Sequence, residues 1–361
     1  MHVVFRTDAS VDIGTGHVMR CLTLADSFVR HGASCTFVCR PHPGNLAGQI
    51  SARGHAVVLL EGRDAAPDGR LAHAAWLGAT QAQDAAECAA ILNAGERPAW
   101  LVVDHYALDA EWETALRAGV DSVMVIDDLA DRRHDCDLLL DQTFGRDPAA
   151  YADLVPAHAR LLCGAKYAML RPDFARLRSH SVARRRDGTL RHVLVSLGGV
   201  DKPNATQRVL EALAGATLAL QTRITVVMGP TAPWLDQVRA FAAQMKLPVE
   251  VLVGVNDMAR LMADADFAIG AAGATAWERC SLGLPAAMVV LAPNQGFAAA
   301  RLADAGAALV LDLDGDFDAR LKAIVARLQR DGGELAWMSA NALRITEGTG
   351  CELVRAALGS S

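Results

Sequence analysis

Short apolar runs alternate with amphipathic stretches along nearly the whole chain. Strand-like runs fall at 2–7, 34–39, 56–60, 99–104, 121–127, 137–140 and 161–163. They resume at 192–197, 223–228, 249–253, 266–270, 286–291 and 308–312. Helical periodicity fills several of the gaps, at 17–31, 80–94, 203–214 and 257–264. In the first of these, Val18, Cys21, Leu22, Ala25, Phe28 and Val29 recur at three- and four-residue steps, and Gly32 follows as a stop. Asn256 reads as the N-cap of 257–264, and Gly283 and Pro285 end the helix before them. The stretch 334–358 reads as one or two amphipathic helices with Trp337, Met338, Leu343 and Leu353 facing the core. Such alternation predicts α/β architecture, parallel sheets covered on both faces, with ligands at the strand C-termini.

The pattern breaks once, between Arg176 and Arg191. There Arg176, Arg178, Arg184, Arg185 and Arg186, with Ser179, Ser181 and Gly188, make a polar basic segment. It reads as an interdomain linker, with contact to phosphate or acidic lipid as the alternative. Together with the length of 361 residues this predicts two domains, 1–180 and 190–361.

Composition changes this picture little. The formal charge of −6 at pH 7 argues against a nucleic-acid partner. No apolar run reaches membrane-spanning length, and the N-terminus lacks the layout of a signal peptide, so no membrane partner is expected. Eight cysteines are scattered without C-x-x-C pairs, as in a reduced cytoplasmic protein without a disulfide frame or zinc site.

Candidate chemistry concentrates where strands turn into helices. The first turn, Asp8 to Arg20, carries Gly14, Gly16 and His17 at a helix entrance. Glycines let a ligand approach the backbone, and free amides with the helix dipole favour an anion. The dipole disfavours a charged His17, so a neutral imidazole there is a candidate general base; a surface histidine on an ordinary turn is the bland alternative. The dinucleotide fingerprint does not fit. Its third glycine would fall on Met19, and the second strand ends in Arg40 instead of an acid, so neither NAD nor FAD is expected.

Further strand ends carry Asp104-His105-Tyr106, where His105 and Tyr106 are the better site candidates because capping rarely needs an aromatic pair, and Asp127-Asp128, where capping competes with a site role. His134-x-Cys136-Asp137 lacks a second ligand cluster and reads as structural. In the second half, Gly198-Gly199-Val200-Asp201 and Gly270-Ala271-Ala272-Gly273-Ala274-Thr275 form two more glycine turns. Glu278 follows inside the first helical turn, where it either complements the dipole or holds two ribose hydroxyls. No carboxylate cluster suits magnesium, and Lys202 lacks Walker A spacing. The residues point to an enzyme acting on a nucleoside-diphosphate ligand between two domains, without cofactor or metal.

Several motifs together resemble the UDP-sugar hydrolase family of pseudaminic acid biosynthesis. They are Arg6-x-Asp8-x-Ser10, Ile13 to Leu22, Val103-Asp104-His105-Tyr106, Ile126-Asp127-Asp128-Leu129, His134 to Leu140 and Tyr167-x-x-Leu170-Arg171-Pro172-x-Phe174. Gly198-Gly199-x-Asp201, Gly273-x-Thr275-x-Trp277-Glu278 and Pro293-Asn294-Gln295 continue the series in order. The resemblance implies two Rossmann-like domains facing a cleft, as in GT-B glycosyltransferases, with terminal helices and the nucleotide held mainly by the second domain. It implies removal of UDP from UDP-2,4-diacetamido-2,4,6-trideoxy-β-L-altropyranose, water attacking the anomeric carbon with inversion and no metal. Carried over, His17 activates the water and Asn294 positions water or substrate. Glu278 binds the ribose, and Gly273, Ala274 and Thr275 the diphosphate. Asp8, Gly14 and Tyr106 line the sugar side, with Gly16, Gly199 and Gln295 as further substrate contacts. The chain is longer than the family's shorter members, which allows a changed sugar pocket.

Two other readings compete. A lipid-linked N-acetylglucosaminyl transferase of the MurG kind shares the architecture, but needs an apolar, basic-rimmed face that residues 60–100 do not offer. A nucleotide-sugar sensor without activity would have no use for a base at the glycine turn.

Overall fold

A computed structural model describes residues 1–62 and 69–359. Part of the stretch 60–100, residues 63–68, therefore lies outside the described residues. The chain forms two compact units, Met1–Met169 with Gly350–Ser361, and Leu170–Thr349.

The first unit runs β1 (His2–Thr7), α1 (Gly16–Arg30), β2 (Ser34–Cys39), α2 (Ala47–Ala52), β3 (Ala56–Leu59), α3 (Gln81–Asn93), β4 (Trp100–Asp104) and α4 (Ala110–Leu116). Then come β5 (Ser122–Ile126), β6 (Leu138–Asp141) and β7 (Arg160–Cys163). All seven strands are parallel, in the order β3-β2-β1-β4-β5-β6-β7. Strand order reverses between β1 and β4, where Thr7 pairs with Asp104. Because both sheet faces are covered, strands such as Trp100–Val103 and Leu138–Leu140 are continuously apolar. On one face Phe5 stacks on Phe37 at 4.8 Å under α1. On the other face Arg6 is fully buried and pairs with Asp84 of α3, which also holds Arg40.

The second unit runs α5 (Pro172–Arg184), β8 (His192–Ser196), α6 (Ala205–Ala214), β9 (Arg223–Met228), α7 (Leu235–Ala242), β10 (Val249–Val253), α8 (Met258–Asp264) and β11 (Phe267–Ala271). It continues with α9 (Thr275–Ser281), β12 (Ala286–Val290), α10 (Gly296–Asp304), β13 (Ala308–Asp312), α11 (Phe317–Arg330) and α12 (Gly332–Ala342). Its six parallel strands order as β10-β9-β8-β11-β12-β13, so the reversal falls between β8 and β11.

Every predicted strand is present, with ends shifted by a residue or so. The domain boundaries need correction. The segment read as a linker from 176 is largely α5, packed on α8 and α9. Arg178 donates to Ser281 O, Leu343 O and Thr346 O, and Arg185 to Met262 O, Ala265 O and Leu282 O. These guanidinium groups satisfy carbonyls that helix ends leave open, so their charge serves packing instead of an external phosphate or lipid.

The chain's last helix, α13 (Gly350–Leu358), joins the first unit, against α1. Its Val354, Ala357 and Leu358 enter the core with Phe5 and Leu22. Hence the boundary lies at 169/170 with a return at 350, and residues 350 onward do not belong to a 190–361 domain. Close docking needs Gly350, where a Cβ would stand 2.3 Å from Ala168 O. Gly350→Ala is expected to cost about 1–3 kcal/mol, as overpacking does. Urea unfolding would read it as a lower midpoint at unchanged m-value.

Two core assignments, Trp337 and Leu353, are also corrected, and one position of the α1 stripe, Val29, lies outside the core. Val29, Trp337 and Leu353 are 47%, 59% and 43% exposed. Val29 and Leu353 each fall on the outward side of an amphipathic helix. Trp337 lies over Gly306, where a Cβ would meet its ring at 2.1 Å, so it covers a neighbour from outside. The N-cap of α8 is Asp257, which accepts from Arg260 N, and not Asn256. None of the eight cysteines forms a disulfide, and all but Cys163 are buried.

Candidate active site

At the first unit's reversal point, β1, β4, β5 and α1 deliver a connected set of side chains. Ser10 shapes the turn: its Oγ accepts from Asp12 N and Ile13 N, and its carbonyl from Gly14 N at 2.9 Å. Gly14 has φ +80°, a left-handed conformation that glycine adopts without strain. A Cβ on Gly14 or Gly16 would meet nothing within 4 Å, so this turn is open on its outer side. α1 starts from Thr15 with no side-chain cap.

His17, 8% exposed, points from that helix start to the end of β4. Its Nδ1 lies 2.6 Å from Asp104 Oδ1. Arg20, one turn along α1, donates Nε and Nη2 to the two oxygens of Asp104, both at 2.6 Å, and Nη1 to Asp128 at 2.9 Å. Burial alone would raise the Asp104 pKa, but Arg20 and then His17 hold it far below the usual carboxylate range. With Nδ1 committed to a permanent carboxylate, Nε2 is the nitrogen left for a reacting proton. The field at His17 thus comes from an Asp104–Arg20 pair as well as from the helix dipole.

Tyr106 packs edge-on against the His17 ring at 4.6 Å, and its hydroxyl donates to Asp128. Burial and then Asp128 push the phenol well above its ordinary pKa, so it stays a donor. Trp76 and His73 complete an aromatic wall: Trp76 lies 5.8 Å from Tyr106 and His73 lies 4.3 Å from Trp76.

One assignment is overturned here. Asp8 is fully buried, ion-paired with Arg6 at 2.8 Å, and accepts from Arg40 N at 2.6 Å. With His105 Nε2 at 3.3 Å as well, it ties β1, β2 and β4 together below the turn, and no face of it is left to line a sugar. His105 belongs to the same buried set, its Nδ1 accepting from Ala107 N. Asp127 is structural, bonding Ala130 N, Arg132 and Tyr151, whereas Asp128 joins the site through Arg20 and Tyr106. His134 pairs with Glu113 at 2.8 Å, as a structural group should.

In the second unit the two glycine turns leave adjacent strands, since Ser196 of β8 pairs with Gly270 of β11. Asp201 caps α6 by accepting from Ala205 N and Thr206 N. Gly199 O accepts from Gly229 N at 3.0 Å. Gly273, Ala274 and Thr275 form the turn into α9, with Gln295 beside Gly273, its Oε1 held by Leu291 N. Asn294 is exposed in the turn Pro293–Gln295 after β12.

Glu278 is partly buried, and among the described residues no donor reaches its carboxyl oxygens. Burial pushes its pKa up to about 7, opposed only in part by Arg171 and Arg279. An acid whose pKa is raised by folding loses stability as pH climbs from the ordinary carboxylate range to that value, because the folded state must then charge an unpaired group. Glu278→Gln is therefore expected to raise the Tm of the ligand-free protein at pH 8 and to leave it nearly unchanged at pH 4.

Asp104, Arg20, Trp76 and His73 were not assigned site roles from the sequence, and Asp128 was left between capping and a site role. Asp104 had a usable signal, a charged residue ending an apolar parallel strand. Arg20 had none, since on a helix it looks like any basic surface residue. Among the described residues no group of three side chains is arranged to ligate a metal, and no helix is long and apolar enough to cross a membrane.

Comparison with known proteins agrees with this layout. Residues 193–349 match the family described as glycosyltransferase family 28 C-terminal domain. The chain is 23% identical over 308 residues to the UDP-2,4-diacetamido-2,4,6-trideoxy-beta-L-altropyranose hydrolase of Campylobacter jejuni, an alignment covering 85% of this chain and 97% of that one. It is 33% identical over 163 residues to the spore coat polysaccharide biosynthesis protein SpsG of Bacillus subtilis, covering 44% of this chain and 46% of that protein. The crystal structure of MurG from Acinetobacter baumannii superposes with a TM-score of 0.74, covering 100% of this chain and 99% of that one at 16% identity. This chain thus has the two-domain α/β fold of the GT-B glycosyltransferases, and the resemblance carried by its motifs extends over most of its length.

Proposed function

We propose that the protein hydrolyses a UDP-sugar, taking water as the acceptor and His17 as general base. The observation that carries this reading is the pairing of His17 Nδ1 with buried Asp104, which leaves Nε2 as a base beside an open glycine turn. Water gives a proton to Nε2 as its oxygen bonds to the anomeric carbon. The carbon–oxygen bond to UDP breaks on the opposite face, and its electron pair leaves on the diphosphate. The resulting imidazolium is stabilised by Asp104 and later returns its proton to solvent. Tyr106 and the aromatic wall border this centre and exclude bulk water from it.

The second unit supplies the nucleotide contacts in this reading. Backbone amides of Gly273, Ala274 and Thr275 take the diphosphate, with Gly199 and Gln295 nearby, and Glu278 accepts from the ribose hydroxyls. Asn294 positions water or sugar. The substrate class is a diacetamido-trideoxyhexose nucleotide, by analogy with the Campylobacter relative. Ribose contacts exist in ground and transition states alike, so Glu278→Ala is expected to raise KM with little change in kcat. Steady-state kinetics over a range of UDP-sugar concentrations would check it.

The match to a glycosyltransferase family and to MurG favours a second reading, in which His17 activates an acceptor hydroxyl instead of water. UDP release from UDP-2,4-diacetamido-2,4,6-trideoxy-β-L-altropyranose and from UDP-GlcNAc, without acceptor and with EDTA, separates the two. Rapid release from the first alone supports the hydrolase and its substrate. No release from either, restored by a lipid or sugar acceptor, establishes the transferase.

A further inference from the structure

Among the described residues the buried arginines fall into two groups and one exception. Arg6, Arg20, Arg40 and Arg132 each meet carboxylates. Arg185 meets the carbonyl ends of helices, as described above. Arg279 is 2% exposed and has neither arrangement. Its Nη2 donates to Ala271 O at 2.7 Å and its Nη1 to Thr275 Oγ1 at 3.1 Å. Its Nε is buried without a hydrogen-bond partner, and among the described residues no carboxylate reaches it as an ion pair. The neighbouring Glu278 acts on it only through its field and forms no ion pair with it.

The fold makes room for this cation. A Cβ on Gly270 would stand 2.6 Å from Arg279 Nη1, and Gly270 does not have the positive φ that would call for glycine on backbone grounds. Gly270 pairs with Ser196, so the guanidinium lies where β8 and β11 end and their glycine turns leave the sheet. That is the reversal point of the second sheet, where open α/β folds bind ligands. A buried cation without a counter-ion is costly, and burial alone depresses the Arg279 pKa. Such a site is completed by an anion from outside.

We infer that Arg279 is the counter-charge for the phosphates of a nucleoside diphosphate and makes the second unit select diphosphates over nucleosides. This rests on the UDP-sugar reading above and adds to it the residue that reads charge. Arg279 is a positioning residue: it holds Ala271 O and Thr275 Oγ1 from below and presents its field through the turn.

Calorimetric titration of the full chain with UDP and with uridine tests it, on the wild type, Arg279→Gln and Arg279→Lys. Gln keeps a donor for Ala271 O but is neutral; Lys keeps the charge. The expected result is that Arg279→Gln weakens UDP by about 10–100-fold, the range for hydrogen bonds to charged groups, and leaves uridine nearly unchanged. Arg279→Lys keeps most of the preference for UDP. An unchanged UDP-to-uridine ratio in Arg279→Gln overturns the inference, as does equal loss of both ligands in both variants, which would make Arg279 a strut only. A wild type that binds neither ligand overturns the UDP-sugar reading itself, and the two failures are thereby told apart.

Discussion

His17→Ala lowers kcat by about 10²–10⁴, the usual loss when a general base is removed. The side chain sits at the edge of the first unit, and its removal leaves Asp104 still paired with Arg20 through two short bonds. Folding stability should therefore change little. UDP affinity should change little as well, because every nucleotide contact proposed above lies in the second unit. The effect belongs to kcat, and single-turnover release of UDP from saturating substrate measures it directly. Wild-type turnover in His17→Ala would remove the base from this histidine and leave the site to its electrostatics alone. Comparable damage to UDP affinity would mean instead that the imidazole contacts the nucleotide.

Asp104→Asn combines two losses. The amide cannot serve both donors that now share the carboxylate, His17 Nδ1 and the Arg20 fork. Either the imidazole turns, or Arg20 is left with Asp128 alone. Catalysis should fall by about 10²–10⁴, the scale seen when the orienting acid of a His–Asp pair is made neutral. Breaking a buried pair costs about 3–5 kcal/mol, and the lower end is expected because Asp128 still holds one arm of Arg20. The pH dependence follows from the sign of the shift. Asp104 is held far below the ordinary carboxylate pKa in the folded state, so its contribution is fully present above about pH 4 and shrinks as pH falls further. Urea unfolding at pH 7 and pH 3 should show the gap between wild type and Asp104→Asn narrowing in acid. An equal gap at both values would mean that the loss comes from packing instead of charge.

How far the site could be read before folding depended on how local each signal was. His17, Gly14 and Gly16 stand on one turn, and the roles proposed for them rest on a strand, a turn and a helix within twenty residues. Glu278 was singled out in the same way, beside its own turn, and its ribose contact belongs to the reading proposed above. Asp8 misled because it shares that first turn with His17. Side chains alternate along a strand and its exit, and the direction of Asp8 was decided by Arg6 and by Arg40, 32 residues on. Asp104 and Arg20 are 84 residues apart, and nothing in either segment announces that they will share two hydrogen bonds. Arg279 was hidden more deeply. Its lack of a partner is a property of everything around it.

Periodicity alone, then, placed thirteen strands, the parallel architecture and the glycine turns, because burial on both faces forces apolar runs and helix entrances need particular residues. It could not place the end of the chain or the arginine-rich segment. α13 carries an amphipathic pattern that any apolar surface would accept, and only the packed structure assigned it to α1 of the first unit. Arg178 of α5 and Arg185 just after it are equally polar in a linker and in a packed segment whose guanidinium groups close carbonyls of α9 and α8. Tertiary structure decided both, since hydrogen-bond satisfaction and partner choice are set by neighbours distant in sequence.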